Sequence, residues 1–317
     1  MFGGSTSINF SPDTDIPALM GKVILVTGGS NGLGKESILQ LAKKEPAEIW
    51  MGARNAERAQ TAIDDIQKQI PNSVSIKFLH MDLGSFASVS EAATTFRKQS
   101  SRLDILLLNA GIMITPSGLT EDGYEIQFGT NHMGHALLAK LLLPTLVSTA
   151  ALPDSDVRVV ILSSEAHNMA PSEGILWETL KTEANSITTR ARYGQSKLAN
   201  ILYAREFAKR YPQIKVASVH PGIVKTNLGN ESASKSVLLR IALTVVRGVI
   251  GVDVATGALT QLWAATGKDI KTGEYYEPIG VTGCGSKWTR DEELADKLWK
   301  WTQNEIERYK AEEEGYT

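Results

Sequence analysis

The sequence predicts an α/β protein: a doubly wound parallel sheet of the Rossmann type, with helices on both faces and a C-terminal helical substrate lobe. Three observations carry that prediction. Short apolar runs alternate with stretches of helical length from residue 23 to residue 220. Runs such as Val23-Ile24-Leu25-Val26 are apolar at successive positions rather than at every second one, as strands covered on both faces require. The first run passes through a glycine-rich turn straight into a helix, the arrangement in which a strand end and a helix N-terminus share a phosphate site.

Taken in order, residues 1–20 are polar and contain Pro12 and Pro17, and read as a loose lead-in. Val23-Ile24-Leu25-Val26 is the first strand, and residues 32–43 are the helix after the glycines. Glu48–Gly52 is the second strand, followed by a helix over 55–70 that Pro71-Asn72 punctuates. Val74–Leu79, Asp104–Leu108, Val157–Leu162 and Lys215–His220 are the third to sixth strands. Helices over 86–100, 122–150 and 190–211 separate them. Beyond 220 the alternation stops. Residues 231–250 are apolar and sparsely charged, 253–266 form another helix, Tyr275-Tyr276 close a last strand, and 290–311 form an amphipathic final helix. Residues 21–317 therefore read as one dinucleotide-binding catalytic domain, to which 227–317 contribute the substrate lobe and C-terminal helix.

Composition excludes several classes. With 317 residues, 42% hydrophobic and 21% charged, the chain is of ordinary globular make-up and long enough to bury a full core. A net charge of −2, from 33 Lys and Arg against 35 Asp and Glu, argues against a broadly basic surface, so no nucleic-acid partner is expected. Cys284 is the sole cysteine, which precludes an intramolecular disulfide or a multi-cysteine metal cluster. No metal is expected: His132 and His135 are three apart on a helix, a spacing that more often reflects structural packing than a zinc site. Met1–Ser5 lack the basic start and apolar run of a signal peptide, and no stretch offers 18 uninterrupted apolar residues. A cytoplasmic protein without a transmembrane span is the expectation. The segment 236–250, with Arg240 and Arg247, reads as a lid on the substrate pocket, or else as a peripheral membrane contact.

The turn is Thr27-Gly28-Gly29-Ser30-Asn31-Gly32-Leu33-Gly34. Its glycines permit a tight bend and a close approach of backbone to a pyrophosphate. Gly29-x4-Gly34-Lys35 nearly spells a nucleotide triphosphatase loop, but Glu36 stands where that loop needs a hydroxyl for Mg²⁺. A purely structural turn is the remaining alternative. Twenty residues beyond Gly34, where an acidic side chain would select NAD, stands Arg54. Its forked donors suit a 2′-phosphate, and Lys35 adds charge nearby, so the cofactor expected is NADP(H) rather than NAD(H).

Tyr193 and Lys197 are four apart on a helix and share a face. An ammonium beside a phenol favours the phenolate and eases proton exchange. Such a pair is usually just an exposed one, but Ser163-Ser164 and Asn109-Ala110-Gly111 end neighbouring strands on the sheet edge where open α/β folds bind ligands. Trp177, Tyr276 and Trp288 read either as an aromatic pocket or as ordinary core.

Thr27-Gly28-x3-Gly32-x-Gly34, Asn109-Ala110-Gly111, Ser164, Tyr193-x3-Lys197 and Pro221-Gly222, in that order over roughly 23–228, resemble the short-chain dehydrogenase/reductase family in its single-domain form. The resemblance implies roles. Tyr193 would be the general acid/base and Ser164 would orient the substrate oxygen. Lys197 would bind the nicotinamide ribose and depress the tyrosine pKa, and Asn131 would support a proton-relay water. Gly28, Ser30, Asn31, Gly32, Leu33 and Gly34 would cradle the cofactor phosphates, with Arg54 beside the ribose. Asp82 and Leu83 would contact the adenine, and Asn109, Ala110 and Gly111 the cofactor edge. Pro221, Gly222, Val224 and Thr226 would clasp the nicotinamide side.

Closer similarity is to retinol-dehydrogenase-like members, in Asn131-His132-x-Gly134-His135, Ser163-Ser164-x-Ala166-His167 and Tyr193-x2-Ser196-Lys197-Leu198-Ala199-Asn200. The serine–tyrosine spacing of 29 residues is longer than in many members, which places an insertion over about 168–190 at the site mouth. The apolar N-terminal anchor of membrane-bound relatives is not seen, so a membrane retinoid role is not implied. The implied activity is hydride transfer between NADP(H) and a small lipophilic ketone, aldehyde or secondary alcohol, as a carbonyl reductase or alcohol dehydrogenase. The alternative is a catalytically silent dinucleotide-binding scaffold. A homodimer is compatible with the family, whose members are often dimers or tetramers.

Overall fold

The computed structural model describes residues 8–222, 224 and 252–313. Seven strands, β1 (Val23–Thr27), β2 (Glu48–Ala53), β3 (Ser75–His80), β4 (Ile105–Leu108), β5 (Arg158–Leu162), β6 (Lys215–Val219) and β7 (Tyr275–Tyr276), form one parallel sheet. Their order is β3-β2-β1-β4-β5-β6-β7. The helices are α1 (Gly32–Ala42), α2 (Ala56–Gln67), α3 (Phe86–Gln99), α4 (Ile126–Ala150), α5 (Thr189–Arg210), α6 (Val254–Thr266) and α7 (Glu292–Glu313).

The apolar runs fill both faces of this sheet. All five residues of β1 are buried. Leu25 packs on one face with Trp50, Leu106 and Val159, while Ile24 and Val26 pack on the other with Ile49, Met51, Leu107 and Val160. Each such side chain contributes about 1.5–3 kcal/mol when fully buried. The winding reverses between β1 and β4, and a crevice opens there beyond the carboxyl ends of the strands.

Helix α4 starts at Ile126, not near 122. Gly123, at φ 79°, turns the chain, and the Glu125 side chain accepts the N–H of Phe128, which sets the first turn. One turn later the ladder widens: the Gly134 N–H reaches back five residues to the Gly129 carbonyl. Among the described residues α4 is the one helix long and apolar enough to cross a membrane, but 61% of its apolar window is buried within the fold.

His132 and His135 sit on α4 as core residues. His132 Nε2 meets Thr302 Oγ1 at 3.0 Å, and His135 Nε2 meets Thr27 Oγ1 at 2.8 Å. Burial holds both rings neutral by lowering their pKa values to about 3. The unfolded chain binds these protons below about pH 6.5 and the folded chain does not, so stability falls as pH drops from 6.5 toward 3. At pH 5 each histidine is expected to cost about 2 kcal/mol. Urea unfolding at pH 7 and pH 5 checks this. The loss should be smaller in His132→Gln, and a loss of equal size in that variant would place its origin elsewhere.

The aromatic trio does not form one pocket. Tyr276 packs on Trp263 at 4.8 Å, with its hydroxyl bonded to Lys271, on the far face of the sheet. Trp177 packs against Trp301, and Trp288 against Gly174. The insertion after Ser164 folds into two single turns, Glu165–Met169 and Trp177–Thr179. Gln195 of α5 pins it by accepting the Leu176 N–H at 2.8 Å. Thr226 and the segment 236–250 lie outside the described residues.

Candidate active site

The site is built where β1, β4, β5 and β6 end. At the end of β1, Gly28 takes φ 68° and Gly32 φ 51°, backbone that L side chains rarely adopt. At Gly34 a Cβ would stand 2.3 Å from the Gly28 carbonyl oxygen, so only glycine lets α1 start this close to the strand. The Asn31 side chain caps α1 by accepting the Gly32 N–H at 2.7 Å. Lys35 lines the same edge of the cleft and pairs with Asp65 at 2.9 Å.

Thr27 and Asn109 lock β1 to β4. Thr27 Oγ1 accepts the N–H groups of Asn109 and Ala110, each at 3.0 Å, and Asn109 Nδ2 donates to the Thr27 carbonyl at 2.8 Å. His135 completes the lock. Its Nδ1–H can donate to the Asn131 carbonyl at 3.0 Å, which leaves Nε2 to accept from the Thr27 hydroxyl. Gln261 of α6 ties the same turn together, donating toward Asn109 Oδ1 at 3.3 Å and to Ser37.

A cleft of about 1050 Å³ runs along this edge. Its walls include Gly28, Ser30, Asn31, Gly32 and Leu33 of the turn, Arg54 after β2, and Asp82 and Leu83 after β3. They also include Asn109, Ala110 and Gly111 after β4, Tyr193 and Lys197 of α5, and Pro221 after β6. Gly34 lies behind the turn, and Val224 pairs with Val252 across a parallel bridge. Gly222 takes φ 83°. Sequence reasoning missed Arg58, which stands in the first turn of α2 and lines the same end. Its signal was a second arginine four residues after Arg54, where the helix after β2 begins.

At the other end the chemistry-bearing groups meet. Lys197 Nζ sits 5.7 Å from the centre of the Tyr193 ring and donates to the Leu162 carbonyl at 3.1 Å. Ser163 and Ser164 part ways. Ser163 is buried and donates to the Lys197 carbonyl at 2.8 Å, a structural bond, while Ser164 faces the Tyr193 hydroxyl. Gly194 allows the serine segment in, since a Cβ there would stand 2.6 Å from the Ala166 carbonyl.

The expected depression of the tyrosine pKa is not found. Burial dominates and pushes Tyr193 up to about 12, against the pull of Ser164, while burial lowers Lys197 to about 8. The phenol is therefore a proton donor at neutral pH. The Asn131 side chain is fully engaged within the protein. Its Oδ1 accepts the Ile112 N–H at 2.8 Å, and its Nδ2 donates to the Ile112 carbonyl and to Ser196 Oγ. It clamps the loop after Gly111, where a Cβ would stand 3.2 Å from Asn131 Oδ1 and 3.4 Å from Lys197 Nζ.

A parallel sheet with a glycine turn at its winding reversal, and a Tyr–Lys–Ser cluster at the far end of the same cleft, defines a nucleotide-cofactor oxidoreductase. The comparisons agree. The short chain dehydrogenase family model matches residues 22–191. Short-chain dehydrogenase/reductase drtF of Aspergillus calidoustus is 38% identical over 309 residues, 92% of this chain and 96% of that protein. Human retinol dehydrogenase 13 is 33% identical over 287 residues, 88% of this chain and 82% of that one. The solved Pseudomonas aeruginosa RhlG/NADP active-site complex is 25% identical with a TM-score of 0.62, covering 83% of this chain and 96% of that one. The chain belongs to the short-chain dehydrogenase/reductase family, whose members bind a nicotinamide cofactor.

Proposed function

We propose that the protein is an NADP(H)-dependent carbonyl reductase, running also as an alcohol dehydrogenase, on small lipophilic ketones, aldehydes or secondary alcohols. The reading rests on one observation: Tyr193 and Lys197 line the same cleft as Arg54 and Arg58. A cation pair suits a 2′-phosphate at one end, and a buried phenol suits a carbonyl oxygen at the other. The residues fit the cofactor on their own geometry, because Gly28, Ser30, Asn31, Gly32 and Leu33 line the cleft at the N-terminus of α1 and Asn109, Ala110 and Gly111 line it beside them. Apolar character at the reacting end comes from Ile112, Met113 and Leu162, and the name of the human relative points to an apolar alcohol.

When bound, the nicotinamide supplies the hydride. Tyr193 then gives its proton to the substrate oxygen as negative charge builds there. Ser164 hydrogen-bonds that oxygen and the phenol. Lys197, desolvated and anchored on Leu162, holds a positive charge beside the phenolate that remains. Asn131 keeps the Gly111–Ile112 backbone fixed against the lysine. Ser30, Asn31, Gly32 and Leu33 offer the helix N-terminus to phosphate.

The test is NADPH oxidation with a panel of carbonyls graded in polarity. Turnover confined to apolar ketones and aldehydes, with NADPH preferred over NADH, is the expected result. Tight NADPH binding with no hydride transfer to any of them would favour a silent scaffold instead.

A further inference from the structure

We infer a divalent-cation site at the rim of the cleft, formed by Glu165, His220 and Glu277, that pins three neighbouring strand ends together. The three residues come from separate parts of the chain. Glu165 follows Ser164 beyond β5, His220 ends β6, and Glu277 follows β7. Because β5, β6 and β7 are adjacent and parallel, their carboxyl ends bring the side chains to one place. One donor atom from each lies within 4.8 Å of the other two.

His220 makes the cluster more than a pair of acids. Its side chain is only 8% exposed. Nδ1 is buried without a hydrogen-bond partner among the described residues. Nε2 lies 3.9 Å from Glu277 Oε1, too far for a hydrogen bond. A buried imidazole normally satisfies its nitrogens. Nearby His167 shows the ordinary outcome: Nδ1 meets the Ser164 carbonyl at 2.7 Å, and Nε2 accepts the Ser286 N–H at 3.0 Å.

The second carboxylate is already oriented. Tyr275 donates its hydroxyl to Glu277 Oε2 at 2.5 Å, which leaves Oε1 turned toward His220. Ligating carboxylates are held in this way by outer hydrogen bonds. Two donors on one tetrahedral Zn²⁺ at about 2.1 Å stand roughly 3.4 Å apart, so closure by about an ångström is needed. Glu165 is exposed at the rim. One imidazole with two carboxylates suits Zn²⁺ or Mn²⁺, and the usual affinity order favours Zn²⁺. Three protein ligands leave a further position for water. The site takes no part in the hydride step; it fastens the Ser164 segment and the Pro221 strand end to the loop after β7.

The test uses the full chain, treated with chelator and titrated with Zn²⁺ by calorimetry and with Co²⁺ by visible absorption. The expected result is one saturable equivalent with a cobalt ligand-field band. Glu165→Gln and Glu277→Gln should each weaken binding at least about tenfold, as loss of a ligand does. His220→Ala should abolish the band. NADPH binding in the same samples reports an intact fold, and its retention separates failure of this site from failure of the functional reading. No saturable binding by the parent protein, or variants that bind metal as the parent does, would overturn the proposal.

Discussion

Tyr193→Phe is expected to reduce turnover by about 10³–10⁴-fold, toward the upper end of what general acid–base catalysis supplies, while leaving NADPH affinity intact. The ring stays in its buried place, so the packing survives; only the hydroxyl that faces Ser164 is lost. The effect belongs in the chemical step because burial keeps the phenol protonated, with a pKa of about 12, and thus makes it the proton source at neutral pH. Steady-state turnover with NADPH, alongside a fluorescence titration of the cofactor, checks both halves. A variant turning over within tenfold of the parent would remove Tyr193 from the mechanism.

Arg54→Ala is expected to weaken NADPH binding by about 10–100-fold, the equivalent of losing charge-assisted hydrogen bonds worth about 1.5–3 kcal/mol, and to leave NADH binding unchanged. Arg54 sits just past β2, and Arg58, in the first turn of α2, lines the same wall. A guanidinium there meets a phosphate in NADPH but only a hydroxyl in NADH. The double variant with Arg58→Ala should abolish the preference. Separate titrations of the two cofactors read this out, and equal losses for both would show that Arg54 serves the wall and not the phosphate.

Much of this architecture was legible in the sequence because its signals are local. An apolar run such as Val23–Val26 can only be a strand covered on both sides, and glycines at 28, 32 and 34 can only mean a tight, close-packed turn. Asn109 at a strand end, and Lys197 one turn beyond Tyr193 on α5, follow once the winding is known. What escaped depends on distant partners. Ser164 was singled out by its place in the motif, but the structural bond of Ser163 to a carbonyl on α5 was not visible. The tyrosine pKa went the other way because burial, invisible in a spacing of four, outweighs the pull of Ser164. Gln261 meets the glycine turn from more than two hundred residues away, and Glu277 reaches His220 only through the order of the sheet.

The widened turn in α4 also sets the helix's phase. Upstream of it Asn131 must point at the loop after β4, and downstream Leu138, Leu142 and Leu146 must point at the core. One extra residue per turn reconciles two faces that a uniform helix would misalign by about 100°. Removing a single residue between 129 and 133 would keep the helix but rotate its apolar stripe off the sheet, whereas the same deletion in a surface loop would pass almost unnoticed. Length, at this point in the chain, is as tightly specified as any side chain.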